Sequence, residues 1–132
     1  MGKRILVIDD RHELLALIRM LLEDADYGVS VLDDGALVEE TARKNPPDLI
    51  ILDIRLGAVS GLDVLERLRT NQATADIPVI VATAAMAEAD VVERLIHDPS
   101  GRYANIAVLK KPFDGDVLLE RIQNMVGVEE AG

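Results

Sequence analysis

The sequence predicts a doubly wound α/β domain, and three observations carry that expectation. Short apolar runs alternate with amphipathic stretches, the alternation occurs five times, and the runs lack polar interleaving. A strand with one face in water alternates apolar and polar residues, whereas a run that is apolar throughout is covered on both faces, as in a parallel sheet flanked by helices. The runs are residues 5–9 (ILVID), 29–32 (VSVL), 49–53 (LIILD), 78–83 (PVIVAT) and 106–109 (IAVL). After the first, Leu14, Leu15, Leu17, Ile18, Leu21 and Leu22 recur at helical spacing. Leu62, Val64, Leu65 and Leu68 do so after the third, Val91, Val92, Leu95 and Ile96 after the fourth, and Val117, Leu118, Ile122 and Met125 after the fifth. Turns fall at Asp34-Gly35 and Asn45-Pro46-Pro47, and His97 to Gly101 ends a helix in a polar loop. Right-handed crossovers between such strands put helices on both faces of one sheet.

Composition narrows the function classes. With 132 residues, 49% of them apolar, the chain forms one domain with a sizeable core. That domain is expected over residues 1–127, with a short tail at 128–132. The absence of cysteine excludes disulfides and thiolate metal sites and agrees with a cytoplasmic location. The basic opening MGKR is followed by only four apolar residues before two aspartates, which is neither a signal peptide nor a membrane span. A net charge of -10 argues against direct contact with nucleic acid, whose phosphates select basic surfaces. Output is therefore expected through protein contacts or through further domains.

Ligands of doubly wound sheets sit beyond the carboxyl ends of the strands. The first run ends in Asp9-Asp10, the third in Asp53 and the fourth in Thr83, while Lys111-Pro112 follows the fifth. Three carboxylates at one edge repel one another, and a hard divalent cation removes that conflict. An all-oxygen ligand set suits Mg²⁺, which favours one or two carboxylates together with a phosphate oxygen. A carboxylate also serves as a nucleophile that forms an aspartyl phosphate. The charge of that product is met by a lysine ammonium and a threonine hydroxyl. As helix caps or turn residues, Asp9, Asp10 and Asp53 would bring buried carboxylates to strand ends at a cost no cap requires. His12 and His97 are read as surface helix residues.

These residues carry a resemblance. In ILVIDD (5–10), LIILDIRLGAVSGLDVL (49–65), IPVIVATA (77–84) and KKPF (110–113) the chain resembles a response-regulator receiver domain of two-component signalling over residues 4–126. The resemblance implies the flavodoxin-like strand order 2-1-3-4-5 and a switch whose phosphoacceptor is Asp53. It implies Mg²⁺ held by Asp10, Asp53 and the backbone carbonyl of Arg55, with Asp9 acting through a water. It makes Thr83 the hydroxyl, Ala84 the backbone N–H and Lys111 the ammonium that meet the phosphoryl oxygens, and it implies a cis bond before Pro112. Arg55 and Ala85 match positions that control access of water to the acyl phosphate. The implied donor is a histidine kinase or phosphotransfer protein and the receiver an unidentified protein target, a second copy of the chain included. Such a domain catalyses only its own phosphorylation and dephosphorylation.

Three positions depart from the pattern. Val108 stands where the family has the aromatic half of its threonine–aromatic switch, Gly57 where it has proline, and the 28 positions from Thr83 to Lys111 exceed the usual length, the excess falling around His97–Asn105. A dehalogenase-type phosphotransferase would carry an acid two residues after its nucleophile, where this chain has Arg55. A flavin carrier would carry a glycine- and hydroxyl-rich loop after the first strand, in place of Asp10-Arg11-His12-Glu13. A pseudo-receiver would be expected to lack one of Asp9, Asp10, Asp53 or Lys111, and all four are present. The fifth helix runs nearly to the end of the sequence, which suits a stand-alone regulator or part of a longer protein.

Overall fold

A computed structural model of the chain describes residues 2–56 and 59–126. The expected tail at 128–132 and the departure at Gly57 lie outside the described residues. In chain order the elements are β1 (Arg4–Ile8), α1 (His12–Asp24), β2 (Gly28–Leu32), a 3₁₀ turn (Gly35–Leu37), α2 (Val38–Lys44) and β3 (Leu49–Leu52). There follow β4 (Arg55–Leu56), β5 (Val59–Ser60), α3 (Gly61–Thr70), β6 (Val79–Thr83), α4 (Met86–Ile96), β7 (Ile106–Lys110) and α5 (Gly115–Val126). The main sheet is β2-β1-β3-β6-β7 with every pairing parallel, which is the expected order 2-1-3-4-5 counted over its own strands. β4 and β5 form a small antiparallel hairpin that the sequence pattern does not announce.

Side chains that alternate along each strand divide the core in two. Ile5 and Val7 of β1 join Ile51 of β3 against Leu15 and Leu22 of α1 and Leu118 of α5. Leu6 and Ile8 point the other way, with Ile50 and Leu52, against Leu65 and Leu68 of α3. All four residues of β3 are buried, as expected of a central strand covered on both faces. Between β2 and β3 the sequence has no long apolar stripe, and the helix there is correspondingly short. Asp34 opens that region by accepting the Ala36 N–H at 2.9 Å, and Val38 and Ala42 anchor α2 in the core.

The long connection before β7 is fastened to α3. Arg69 is only 5% exposed, and its Nη2 donates to the carbonyls of Ala104 at 3.2 Å and Asn105 at 3.5 Å. Burial pulls the Arg69 guanidinium below its ordinary pKa, against the opposing charge of Asp76. Tyr103 is buried in the same region, packed into the core cluster on the α3 side. The Lys111–Pro112 bond is cis, as the resemblance implies.

Gly61, at the start of α3, sets how closely the helix approaches the end of β3. A Cβ there would stand 2.4 Å from the Ile54 Cα, 2.6 Å from its carbonyl oxygen and 2.7 Å from the Asp53 carbonyl oxygen, all of them backbone atoms. The Gly61 N–H also donates to the Ile54 carbonyl at 2.8 Å. Gly61→Ala is therefore expected to cost about 2 kcal/mol or more through overpacking. Urea unfolding measures it, and a loss below roughly 0.5 kcal/mol, the range of an ordinary surface substitution, would contradict this packing.

Candidate functional site

At the carboxyl edge Asp9, Asp53 and Lys111 are held just past the last pair of their ladders, while Thr83 is itself the last residue of β6, paired with Lys110. The Asp9 N–H donates to the Leu32 carbonyl (3.2 Å), the Asp53 N–H to the Ile8 carbonyl (3.0 Å) and the Lys111 N–H to the Thr83 carbonyl (2.9 Å). The strands thus end one residue earlier than the apolar runs suggest at Asp9 and Asp53, and these two residues turn into the site. Carboxylate oxygens of Asp9, Asp10 and Asp53 lie within 4.8 Å of one another. Among the described residues no other group of three acids or histidines converges in this way.

Lys111 spans the cluster. Its Nζ donates to Asp9 Oδ2 at 2.7 Å and to Asp53 Oδ2 at 3.3 Å. The remaining oxygens face backbone: Asp9 Oδ1 accepts from the Arg11 N–H at 2.9 Å and Asp53 Oδ1 from the Arg55 N–H at 3.1 Å. Thr83 Oγ1 accepts from the Ala85 N–H at 2.9 Å, which ties the end of β6 to the start of α4. A cavity of about 390 Å³ opens above them, lined by Asp10, Asp53, Arg55, Thr83, Ala84 and Lys111 among others. Asp9, bonded to Lys111, is buried, whereas Asp10 is exposed. Asp9, Asp10, Asp53, Arg55, Thr83, Ala84, Ala85 and Lys111, the eight residues singled out from the sequence for this site, therefore lie together.

Electrostatics sets the character of this site. Three ionised carboxylates against one ammonium leave two negative charges, and two of the acids are almost wholly removed from water, Asp9 at 3% and Asp53 at 7% exposure. Burial, the largest cause, pushes the Asp53 carboxyl above its ordinary value, and the charge of Asp9 adds to the rise. The Lys111 ammonium and the Arg55 N–H oppose it without cancelling it. The donor set is all oxygen, so the residues present fit a hard divalent cation, whose two charges would balance the excess.

Other residues fall differently from the pattern. The Arg55 side chain reaches Glu88 in the first turn of α4, with Nη2 3.6 Å from Oε1. Nothing in the sequence distinguishes Glu88, because an acid in a first helical turn is ordinary complement to the helix dipole. His12 is exposed and meets Asp33 at 2.8 Å, outside the acidic site. Val108 pairs with Val81 in the middle of β6 and β7 and packs, partly buried, against the core. Tyr103 precedes Ile106, which pairs with Val79 at the opposite end of the sheet from Thr83, so it does not replace the missing aromatic.

An acidic pocket at the carboxyl edge of a 2-1-3-4-5 parallel sheet, with a lysine just past the last strand drawn into it, defines a class of signalling domain. The chain belongs to the response regulator receiver domain family: the model of that family matches residues 5–123. Similar proteins include the DNA-binding dual master transcriptional regulator RpaA of Synechocystis, 37% identical over 123 residues, which cover 93% of this chain and 48% of that one. The polar-differentiation response regulator DivK of Brucella ovis is 31% identical over 127 residues, 96% of this chain and 98% of that one. The chain thus spans about half of RpaA and nearly all of DivK. Its fold also matches the receiver domain of the sensor histidine kinase PA1611 from Pseudomonas aeruginosa, with a TM-score of 0.80 at 24% identity over 96% of this chain and 99% of the other. That protein is described with a magnesium ion coordinated in its active-site cleft. No helix among the described residues is long and apolar enough to cross a membrane.

The raised Asp53 pKa fixes the sign of a stability effect. A carboxyl whose folded pKa exceeds its unfolded value near 3.8 contributes stability that is full below that value and is lost as pH rises through the folded pKa. At neutral pH the buried charge is therefore a liability. Without added metal, Asp53→Asn is expected to raise Tm at pH 7 by about 3–5 °C, equivalent to about 1 kcal/mol at this length. The gain shrinks toward zero as pH falls through 4, and a variant less stable than the parent at pH 7 would contradict the assignment.

Proposed function

We propose that this receiver domain is a magnesium-dependent phosphoacceptor, taking a phosphoryl group from a histidine kinase or phosphotransfer protein onto Asp53. The observation that carries the reading is the convergence of Asp9, Asp10 and Asp53 within 4.8 Å with Lys111 held between Asp9 and Asp53. Asp10, Asp53 and the backbone carbonyl of Arg55 are the residues that would hold Mg²⁺, and Asp9 would act on it through a water. When bound, the ion supplies the charge that lets a phosphate approach three carboxylates.

The chain's own groups do the rest by position. A carboxylate oxygen of Asp53 forms the new bond to phosphorus as the P–N bond of the phosphohistidine breaks, and the electron pair of that bond stays on the imidazole nitrogen. Lys111 meets one phosphoryl oxygen, the Thr83 hydroxyl donates to another, and the Ala84 N–H to a third. Hydrolysis of the acyl phosphate by water returns the Asp53 carboxylate and releases inorganic phosphate. The domain is a switch and not an enzyme acting on an outside substrate; phosphorylation changes a surface read by another protein or by a second copy of the chain. Its charge of -10 disfavours direct contact with nucleic acid, and the cytoplasm is where such a donor operates. The signalling unit extends over residues 1–127, with 128–132 as a tail.

Incubation with Mg²⁺ and acetyl phosphate or phosphoramidate, followed by intact-mass measurement, tests this reading. One phosphoryl group is expected, absent in Asp53→Asn, with accumulation slowed about 100-fold in Lys111→Ala, the scale of losing one charge-stabilising donor. No mass gain in the parent protein would favour a phosphorylation-independent interaction module.

A further inference from the structure

We propose that Glu88 is a positioning residue that holds the Arg55 guanidinium at the rim of the pocket, away from Asp53, so that the acceptor and the first turn of α4 share one cation. The inference rests on Asp53 being the acceptor. Arg55, which lines the cavity, lies on the hairpin that follows β3 and Glu88 on α4, and Arg55 Nη2 stands 3.6 Å from Glu88 Oε1. The two ends of this pair are unlike. The Arg55 side chain is 73% exposed and free to swing, while that of Glu88 is 31% exposed. The second oxygen, Glu88 Oε2, is buried with no hydrogen-bond partner.

A carboxylate with one oxygen already desolvated and unpartnered loses more on giving up its cation than an exposed one does. Glu88 therefore anchors the contact and Arg55 is its mobile half. The backbone of Arg55 is fixed by its N–H bond to Asp53 Oδ1 at 3.1 Å, which keeps the guanidinium within one side-chain length of the acceptor. In the unphosphorylated protein Lys111 already meets Asp53 Oδ2, and Arg55 goes to Glu88. A phosphoryl group on Asp53 adds up to two charges beside Arg55 and competes for it. Glu88 then loses its partner in the turn that Thr83 Oγ1 also holds, through the Ala85 N–H. Two polar contacts thus join the acceptor to α4 in a domain where Val108 supplies no aromatic relay.

The test is a double-mutant cycle of Glu88→Gln and Arg55→Ala, read three ways. In metal-free protein, exchange of the Arg55 guanidinium N–H protons at Nη2, followed by NMR, is expected to be slower in the parent than in Glu88→Gln. Freed in Glu88→Gln, Arg55 competes with Mg²⁺ and covers the acyl phosphate, so Mg²⁺ affinity measured by calorimetry falls and the phosphoryl half-life lengthens, each by roughly threefold to fivefold, the scale of an exposed ion pair. Both changes vanish when Arg55→Ala is already present. An effect of Glu88→Gln that persists with Arg55→Ala, or Arg55 exchange unchanged by Glu88→Gln, overturns the proposal. Failure of the parent to take a phosphoryl group would instead sink the phosphoacceptor reading, while proton exchange still decides where Arg55 is held.

Discussion

The Lys111 ammonium, placed between Asp9 and Asp53, is the contact on which the geometry of this domain depends. Two carboxylates buried at the ends of a parallel sheet are tolerable only with a counter-charge in reach, and the chain draws it from a residue 58 positions beyond one aspartate and 102 beyond the other. Every strand register between them must be correct for the contact to form. β1 aligns Ile8 with Leu52 of β3, β3 aligns Leu52 with Val81 of β6, and β6 aligns Thr83 with Lys110 of β7. A slip of one residue in any of these pairs would turn apolar side chains to the wrong face, so packing of the two core layers enforces the position of the charge.

That arrangement is under-compensated by design of its residues: one ammonium faces three carboxylates, and burial leaves Asp53 with a raised pKa. A site with surplus negative charge, oxygen donors only and a lysine already directed inward has the chemistry that suits a hard divalent cation, and the proposed function adds an anion to it. The same surplus explains why the surrounding backbone N–H groups of Arg11 and Arg55 are spent on carboxylate oxygens. The Gly61 contact has the same purpose at the level of the fold, since it lets α3 begin against the backbone of Asp53 and Ile54.

Much of this was legible in the sequence because it lies on regular elements. Continuous apolar runs predict the parallel sheet, and the acids at their ends single out Asp9, Asp10 and Asp53, since a buried carboxylate costs more than a cap or turn requires; Thr83 and Lys111 are marked only by the company of those acids. The ends of those runs were one residue out at Asp9 and Asp53, whose N–H groups prolong the ladder while their side chains leave it. What escaped was set by tertiary contact alone. The hairpin of β4 and β5 is two residues a side and carries no periodicity. Arg69 reads as a surface cation on α3, and only the long connection folding over it buries the guanidinium. Glu88 reads as helix-dipole complement, and its meeting with Arg55 depends on how α4 sits over the pocket. The departure at Val108 was visible, but the polar contacts to α4 that accompany it were not.

The central claim is that the carboxylate cluster is a charge surplus built for a divalent cation, and thermal unfolding at pH 7 as a function of Mg²⁺ concentration tests it most directly. The account predicts that Tm rises with Mg²⁺, by about 2.7 kcal/mol of added stability at a hundredfold excess over the dissociation constant, and that Asp10→Asn flattens the dependence. A Tm indifferent to Mg²⁺, or one that rises equally in Asp10→Asn, would contradict it.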